Sequence, residues 1–345
     1  MLPGFFLSCS MDVLRLTDSG LYCEAGDFYI DPWKGVNRAL LTHAHSDHTR
    51  WGSQHYLCTR EGYAVTRVRL GEAAHIETVE YGTPIHINGV NVSFHPAGHI
   101  LGSAQIRVEH RGEVWVVSGD YKTEADARSC TPFEPVPCHT FITESTFGLP
   151  IYQWKPQQLI FNDINRWWMR NKAEGRASLL MAYGLGKSQR LLAGVDSSIG
   201  PIYVHGSVQK LNDAYRSTGY ELPSYQLVSD MQHKKEWAGA LIIAPPSAEG
   251  TSWVNRFGDY SNAFASGWMQ VRGRRRNSAL DQGFALSDHA DWPGLLSAIR
   301  ATGCERVKVT HGYTHVLTRY LQENGYDADV MATRFEGDAP AENES

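Results

Sequence analysis

Over the first 145 residues, short apolar runs alternate with polar positions and stop at Gly, Pro, Asn or Asp, a pattern that predicts β-strands. Asp27 to Asp31 reads as a strand stopped by Pro32. Ala39 to Thr42 reads as a strand that runs into a histidine-rich loop, and Val90 to His95 as one that ends at Pro96. Ala104 to Glu109 and Glu113 to Ser118 flank His110-Arg111-Gly112 and predict a hairpin. Thr140 to Thr143 is a further short strand.

The period changes after Pro150. From Pro156 to Lys172, Leu159, Ile160, Ile164, Trp167 and Trp168 recur at helical spacing, which assigns the two tryptophans to a core rather than to base stacking. Strands over 178–183, 201–205 and 241–244 then alternate with helices over 187–195 and 208–218, the order of a parallel α/β unit. After Asp281 the earlier style returns, with a strand over 283–286, a helix over 292–302, a strand over 306–310 and a helix over 313–324. A β-rich start, an α/β middle and a return imply one domain inserted into another. The acidic stretch from Glu336 to Ser345 reads as a frayed tail.

Composition narrows the class. The 345 residues are 42% hydrophobic and 20% charged, which excludes a mostly disordered chain, a collagen and a coiled coil. No apolar run approaches the ~18 residues of a membrane helix, so no membrane association and a cytoplasmic location are expected. Leu2 to Ser10 lacks a basic n-region, and Met11 offers a second possible start. The net charge of −5 means that any polyanion partner must be met by a local basic patch or by metal ions. Six scattered cysteines without C-x-x-C read as reduced, partly buried small hydrophobes.

The chemistry concentrates in His43-Ala44-His45-Ser46-Asp47-His48. Four potential ligands within six residues at a strand end suit two metals held close together, because imidazole and carboxylate are ligands that catalytic zinc takes. Gly98-His99 and Gly119-Asp120 follow two more strands, each beside a glycine that permits close approach of the backbone. An aspartate between two metals can bridge them. Asp31 ends an earlier strand and is a candidate to accept the ring N–H of a metal-bound histidine, although Asp31-Pro32 can also be a simple turn opener.

These residues resemble the metallo-β-lactamase superfamily. Thr143-Glu144-Ser145-Thr146, Ser287-Asp288-His289-Ala290-Asp291 and His311-Gly312 look like motifs A, B and C of its β-CASP nucleases. Ala182 to Gln189 and Ser266-Gly267-Trp268-Met269 are also similar to that family, and the match, over nearly the whole chain, most resembles bacterial ligase-associated DNA exonucleases of Artemis-like type. The resemblance implies a four-layer αββα core from residues 1–147 and 283–345, with an α/β β-CASP domain at 148–282. It implies two divalent metal ions, zinc with manganese as the alternative. His43, His45 and His99 would hold one, Asp47 and His48 the other, with Asp120 bridging. His311 would complete the second, as in RNA-directed members. Asp47, Asp120, Glu144 and His289 would form the catalytic set.

The implied activity is hydrolysis of DNA phosphodiesters by a hydroxide held between two metals, exonucleolytic and in DNA repair, with DNA favoured over RNA and DNA ligase and helicase as partners. His289 would protonate the leaving oxygen, its ring held by Glu144. Asp291 reads as a helix N-cap before Trp292-Pro293. Arg272, Arg274, Arg275 and Arg276 are the densest basic run and are candidate phosphate contacts, against the alternative of a solvated loop. Lys187 and Ser188, at a strand-to-helix turn, are candidates for a terminal-phosphate pocket. The alternatives are an RNase or RNA 3′-end-processing nuclease, favoured by His311, and a metal-free scaffold subunit.

Overall fold

A computed structural model describes residues 12–230, 237–271 and 280–334. The described residues are mixed α/β and build three sheets. The first has six strands in sequence order, Arg15–Thr17, Gly20–Cys23, Phe28–Ile30, Arg38–Leu40, His55–Thr59 and Ile76–Val79. It is antiparallel up to Phe28–Ile30 and parallel from there on.

The second sheet has seven strands in the order Asp327–Val330, Arg306–Gly312, Thr140–Ser145, Glu113–Val117, Ala104–His110, Val90–Pro96 and Ile85–Ile87. Alternation decides what each face meets. Trp115 and Val117 point to the first sheet, where they join Val92, Phe94, Ile106, Phe28, Ile30 and Leu40 in one buried cluster. Val114 and Val116 point the other way, against Leu295, Ile299, Leu317 and Leu321 of helices Trp292–Thr302 and Thr314–Glu323. Helix Tyr63–Leu70 connects the last two strands of the first sheet, and its Leu70 packs with Ala39, Leu41, Tyr56 and Cys58.

The third sheet is parallel throughout, ordered Gln226–Leu227, Ile202–Val204, Leu241–Ala244, Ala177–Met181, Tyr260–Ala265 and Gln282–Phe284. Both of its faces are buried, as parallel sheets require. Helix Gln157–Ala173 covers one face with Ile160, Phe161, Ile164, Trp167 and Trp168, so both tryptophans are core residues. Helices Lys187–Gly194 and Gly206–Ser217 bring Leu185 and Tyr215 against Ala44, Ile100 and Leu101. That contact sets the third sheet's helices beside the histidine loop.

Two expectations change. The strand foreseen at 283–286 spans Gln282–Phe284 and pairs with Tyr260–Ala265, so it closes the third sheet. A boundary at 283 would cut it. The segments at 15–23, 55–59, 63–70 and 76–79 were not foreseen as elements. In Tyr63–Leu70, Val65, Thr66 and Val68 are β-branched and Arg67 and Arg69 interrupt the apolar face, so its helical period is weak. Residues 2–10, Met11, Arg272, Arg274, Arg275, Arg276 and the 336–345 tail lie outside the described residues. Among the described residues no helix is long and apolar enough to cross a membrane. Cys23, Cys58, Cys130, Cys138 and Cys304 are all free thiols and buried.

Candidate metal centre

Three strand ends converge. Strand Arg38–Leu40 releases the chain at Leu41, and the loop turns tightly, with His45 O accepting from both His48 N and Thr49 N. Thr49 Oγ1 donates to His43 O at 2.6 Å and closes the turn. Strands Val90–Pro96 and Glu113–Val117 deliver His99 and Asp120. Gly119 has φ +55, and a Cβ there would lie 2.7 Å from the Thr42 Cβ. Only glycine lets the Asp120 turn close against that strand end.

The carboxylate of Asp120 is shared by two groups. His43, His45, His99 and Asp120 have ligand atoms within 4.8 Å of one another, and so do His48, Asp120 and His311. Asp120 Oδ2 is 3.5 Å from His43 Nε2, 3.6 Å from His48 Nε2 and 3.9 Å from His99 Nε2. His311 Nε2 approaches the other oxygen at 3.1 Å. Asp47 joins from the side, with Oδ2 3.6 Å from His48 Nε2.

Each ring is anchored through the nitrogen that faces away. His48 Nδ1 meets Asp31 Oδ2 at 2.7 Å. His99 Nδ1 donates to Asp288 O at 2.9 Å, and His45 Nε2 to Leu185 O at 3.2 Å. His43 Nδ1 and His311 Nδ1 meet the hydroxyls of Thr42 and Thr310, both at 3.1 Å. Such anchors fix tautomer and orientation, leaving the second nitrogen turned to the centre. Asp31 itself is held with φ +45, and it also accepts from Thr42 N and Thr42 Oγ1.

The electrostatics match this donor set at His43, His99 and Asp120. Burial, aided by His48, holds the His43 imidazole well below its ordinary range. Burial, with His289 and His45 nearby, does the same to His99. Both rings are therefore neutral, the form that binds metal. Burial alone would raise Asp120, but His48 and His311 overcome it and keep the carboxyl ionised well below its usual range. Burial would also lower His48, yet Asp120, Asp47 and Asp31 carry it up to about 10. The buried Nε2 of His43 has no hydrogen-bond partner among the described residues. A polar atom left this way is costly unless something else satisfies it. Imidazoles and carboxylates aimed at one centre fit divalent metals.

Beside the centre, His289 Nδ1 lies 3.0 and 2.9 Å from the two oxygens of Glu144. Glu144 Oε1 accepts from Tyr121 N at 2.8 Å, and the His289 ring sits 4.6 Å from that of His99. Asp120, Glu144 and His289 also group within 4.8 Å. Asp291 caps its helix, accepting from Gly294 N at 2.9 Å.

The pocket foreseen at Lys187 and Ser188 does not form. Lys187 is 1% exposed, and its Nζ pairs with Asp288 Oδ2 at 2.8 Å, while Ser188 Oγ donates to Tyr183 O. Burial therefore spends both groups inside the protein. Sequence reasoning missed Arg190 and Asp126, which complete this buried cluster, and the hydroxyl of Thr42. Asp126 and Arg190 carried no local signal. Thr42, directly before the motif, did.

No family model matches the chain. A protein of Opitutus terrae named probable DNA ligase is 33% identical over 313 residues, covering 90% of this chain and 30% of that protein. Endoribonuclease YSH1 of Candida glabrata is 31% identical over 128 residues, 35% of this chain and 16% of that one. The chain thus spans less than a third of the length of these curated relatives. A solved structure of a protein of unknown function from Enterococcus faecalis V583 superposes with a TM-score of 0.60 at 12% identity, over 87% of this chain and 80% of that one. This likeness is one of fold. The sequence similarities are thus to proteins named probable DNA ligase and endoribonuclease, and the cluster around Asp120 is one that could hold metal.

Proposed function

We propose that this chain is a metal-dependent nuclease that hydrolyses DNA phosphodiesters from an end, in DNA repair. The observation that carries the reading is the sharing of Asp120 between two histidine groups, with the His289–Glu144 pair at its flank. His43, His45, His99 and Asp120 would hold one metal, zinc with manganese as the alternative. Asp47, His48, His311 and Asp120 would hold the other. A bound pair of this kind supplies Lewis acidity toward phosphoryl oxygens and an acidified water.

The remaining work falls to the chain. Glu144 fixes the His289 ring through Nδ1, leaving Nε2 to give a proton to the leaving oxygen. A cleft lined by Lys122, Trp154, Lys155 and His289 opens beside this pair and offers a cation and a flat ring to a strand end. In this reading the sandwich of the first two sheets is the αββα core, and the third sheet with its helices is the β-CASP domain. The division 1–147 with 283–345 against 148–282 then moves its second boundary past Phe284. The DNA context rests on the ligase-named relative, which matches nearly this whole chain over a minor part of its own length. Ligase and helicase partners, and a cytoplasmic location, belong to the same proposal.

A second reading is an RNase or RNA 3′-end-processing nuclease. His311 beside Asp120 favours it, as do relatives named endoribonuclease. A metal-free scaffold is disfavoured by the donor set. Matched DNA and RNA strands labelled at either end decide among these. Shortening of DNA from one end, faster than RNA, is the expected result. Preference for RNA promotes the second reading, and no cleavage of either by metal-loaded protein overturns the first two.

A further inference from the structure

Arg190 lies in the helix after strand Ala177–Met181 and is completely buried. Its guanidinium serves three directions at once. Nε donates to Asp288 Oδ1 at 2.8 Å, Nη1 to Asp126 Oδ2 at 3.0 Å and Nη2 to His99 O at 2.9 Å. Asp288 in turn accepts the ring N–H of His99 on its main-chain oxygen and is the residue next to His289. One side chain from the third-sheet region thus ties together the backbone of His99, the acceptor that aims the His99 ring and the segment that carries His289.

A buried ionic cluster gains little net stability over apolar packing of the same shape, because desolvation offsets the attraction. What a planar fork supplies is direction, which a lysine cannot reproduce. We propose that Arg190 is a positioning residue that acts through Asp288 and His99 to aim the His99 imidazole at the metal centre. It couples the seating of the third-sheet region to metal binding at that subsite. The proposal rests on the metal reading of the cluster above and adds a residue and a role to it.

Arg190→Met tests this with little loss of volume. Asp288 keeps Lys187 at 2.8 Å and Asp126 keeps Arg128 at 3.0 Å, so neither carboxylate is left bare. Arg190→Lys is the second variant, retaining the charge without the fork. Each full chain is stripped of metal and titrated with cobalt(II), whose visible spectrum reports ligand geometry, and near-UV circular dichroism reports packing. Wild type is expected to take two cobalt ions. Both variants should keep the native dichroism, bind one ion normally and the other 10–100-fold more weakly, the range for loss of an orienting partner. The shift in the cobalt spectrum should be the same with Lys as with Met.

Unchanged cobalt affinity and spectrum in either folded variant would overturn the role. If Met fails to fold, the Lys variant decides alone, and if both fail Arg190 is structural and the proposal falls. A wild-type chain that binds no cobalt refutes the metal reading itself. A chain that binds cobalt but cleaves no nucleic acid refutes the nuclease reading while leaving this result standing.

Discussion

Asp31 Oδ2 lies 2.7 Å from Nδ1 of His48, and the same oxygen accepts from the Thr42 hydroxyl. The aspartate reaches both because its backbone sits in the left-handed region, at φ +45, where aspartate and asparagine are the best-tolerated side chains after glycine. The charge of Asp31 therefore acts on the centre from one residue away. Asp31→Asn keeps the size and the backbone tolerance and removes that charge. Metal affinity is expected to fall 10–100-fold with the fold retained. Calorimetric zinc titration of the stripped protein measures it, and wild-type affinity would assign Asp31 to the turn alone.

Asp120 faces four of the surrounding histidines and should be the least replaceable residue of the centre. Asp120→Asn is expected to lose cleavage by orders of magnitude while its dichroism stays native. Near wild-type turnover would mean that no shared site exists.

In the proposed mechanism His289 donates a proton, which typically contributes on the order of 10²–10⁴ in rate. His289→Ala should slow cleavage by about that factor with metal content intact. On a substrate with sulfur in place of the bridging oxygen, the thiolate leaves with little need of a proton. There the variant should recover most of its deficit, whereas Asp120→Asn should not. Equal impairment on both substrates would recast His289 as a group that stabilises charge on a non-bridging oxygen.

Arg274, Arg275 and Arg276, which lie outside the described residues, make a prediction that needs no geometry. Their replacement by alanine should flatten the log–log salt dependence of single-strand binding by about 0.7 for each phosphate no longer neutralised. An unchanged slope leaves the run as a solvated loop.

The Cys58 thiol sits under helix Tyr63–Leu70, and burial pushes it up to about 12. Unfolded, it ionises near about 8.5. A pKa raised by folding contributes stability that is complete below the unfolded value and is lost as pH climbs toward the folded one. The stability difference between wild type and Cys58→Ala should therefore shrink from pH 8 to pH 11. Urea unfolding at both ends of that window tests it, and a constant difference would refute it.

What could be read in advance follows from how local each signal is. His43, His45, Asp47 and His48 share one turn, and His99 and Asp120 each follow a glycine at a strand end, so neighbours in sequence carried the pattern. Asp31 was legible for the same reason. Arg190 was not, because its partners come from residues 99, 126 and 288, and no window of sequence contains them. Lys187 was misread through its setting. A strand-to-helix turn advertises anion binding, but Asp288, about a hundred residues on, already occupies that lysine. Which sheet the edge strand Gln282–Phe284 joins was not legible, because a three-residue run says nothing about its neighbour.

His289 meets Glu144 across 145 positions, and His311 meets Asp120 from beyond the whole third sheet. On the ribosome, which adds roughly 5–20 residues per second, the first six donors emerge well before these two. On the proposed reading, the nascent chain over that interval holds six metal donors without the proton donor. On the same reading, a chain that ended between residues 120 and 289 would carry six of the metal donors and lack the proton donor.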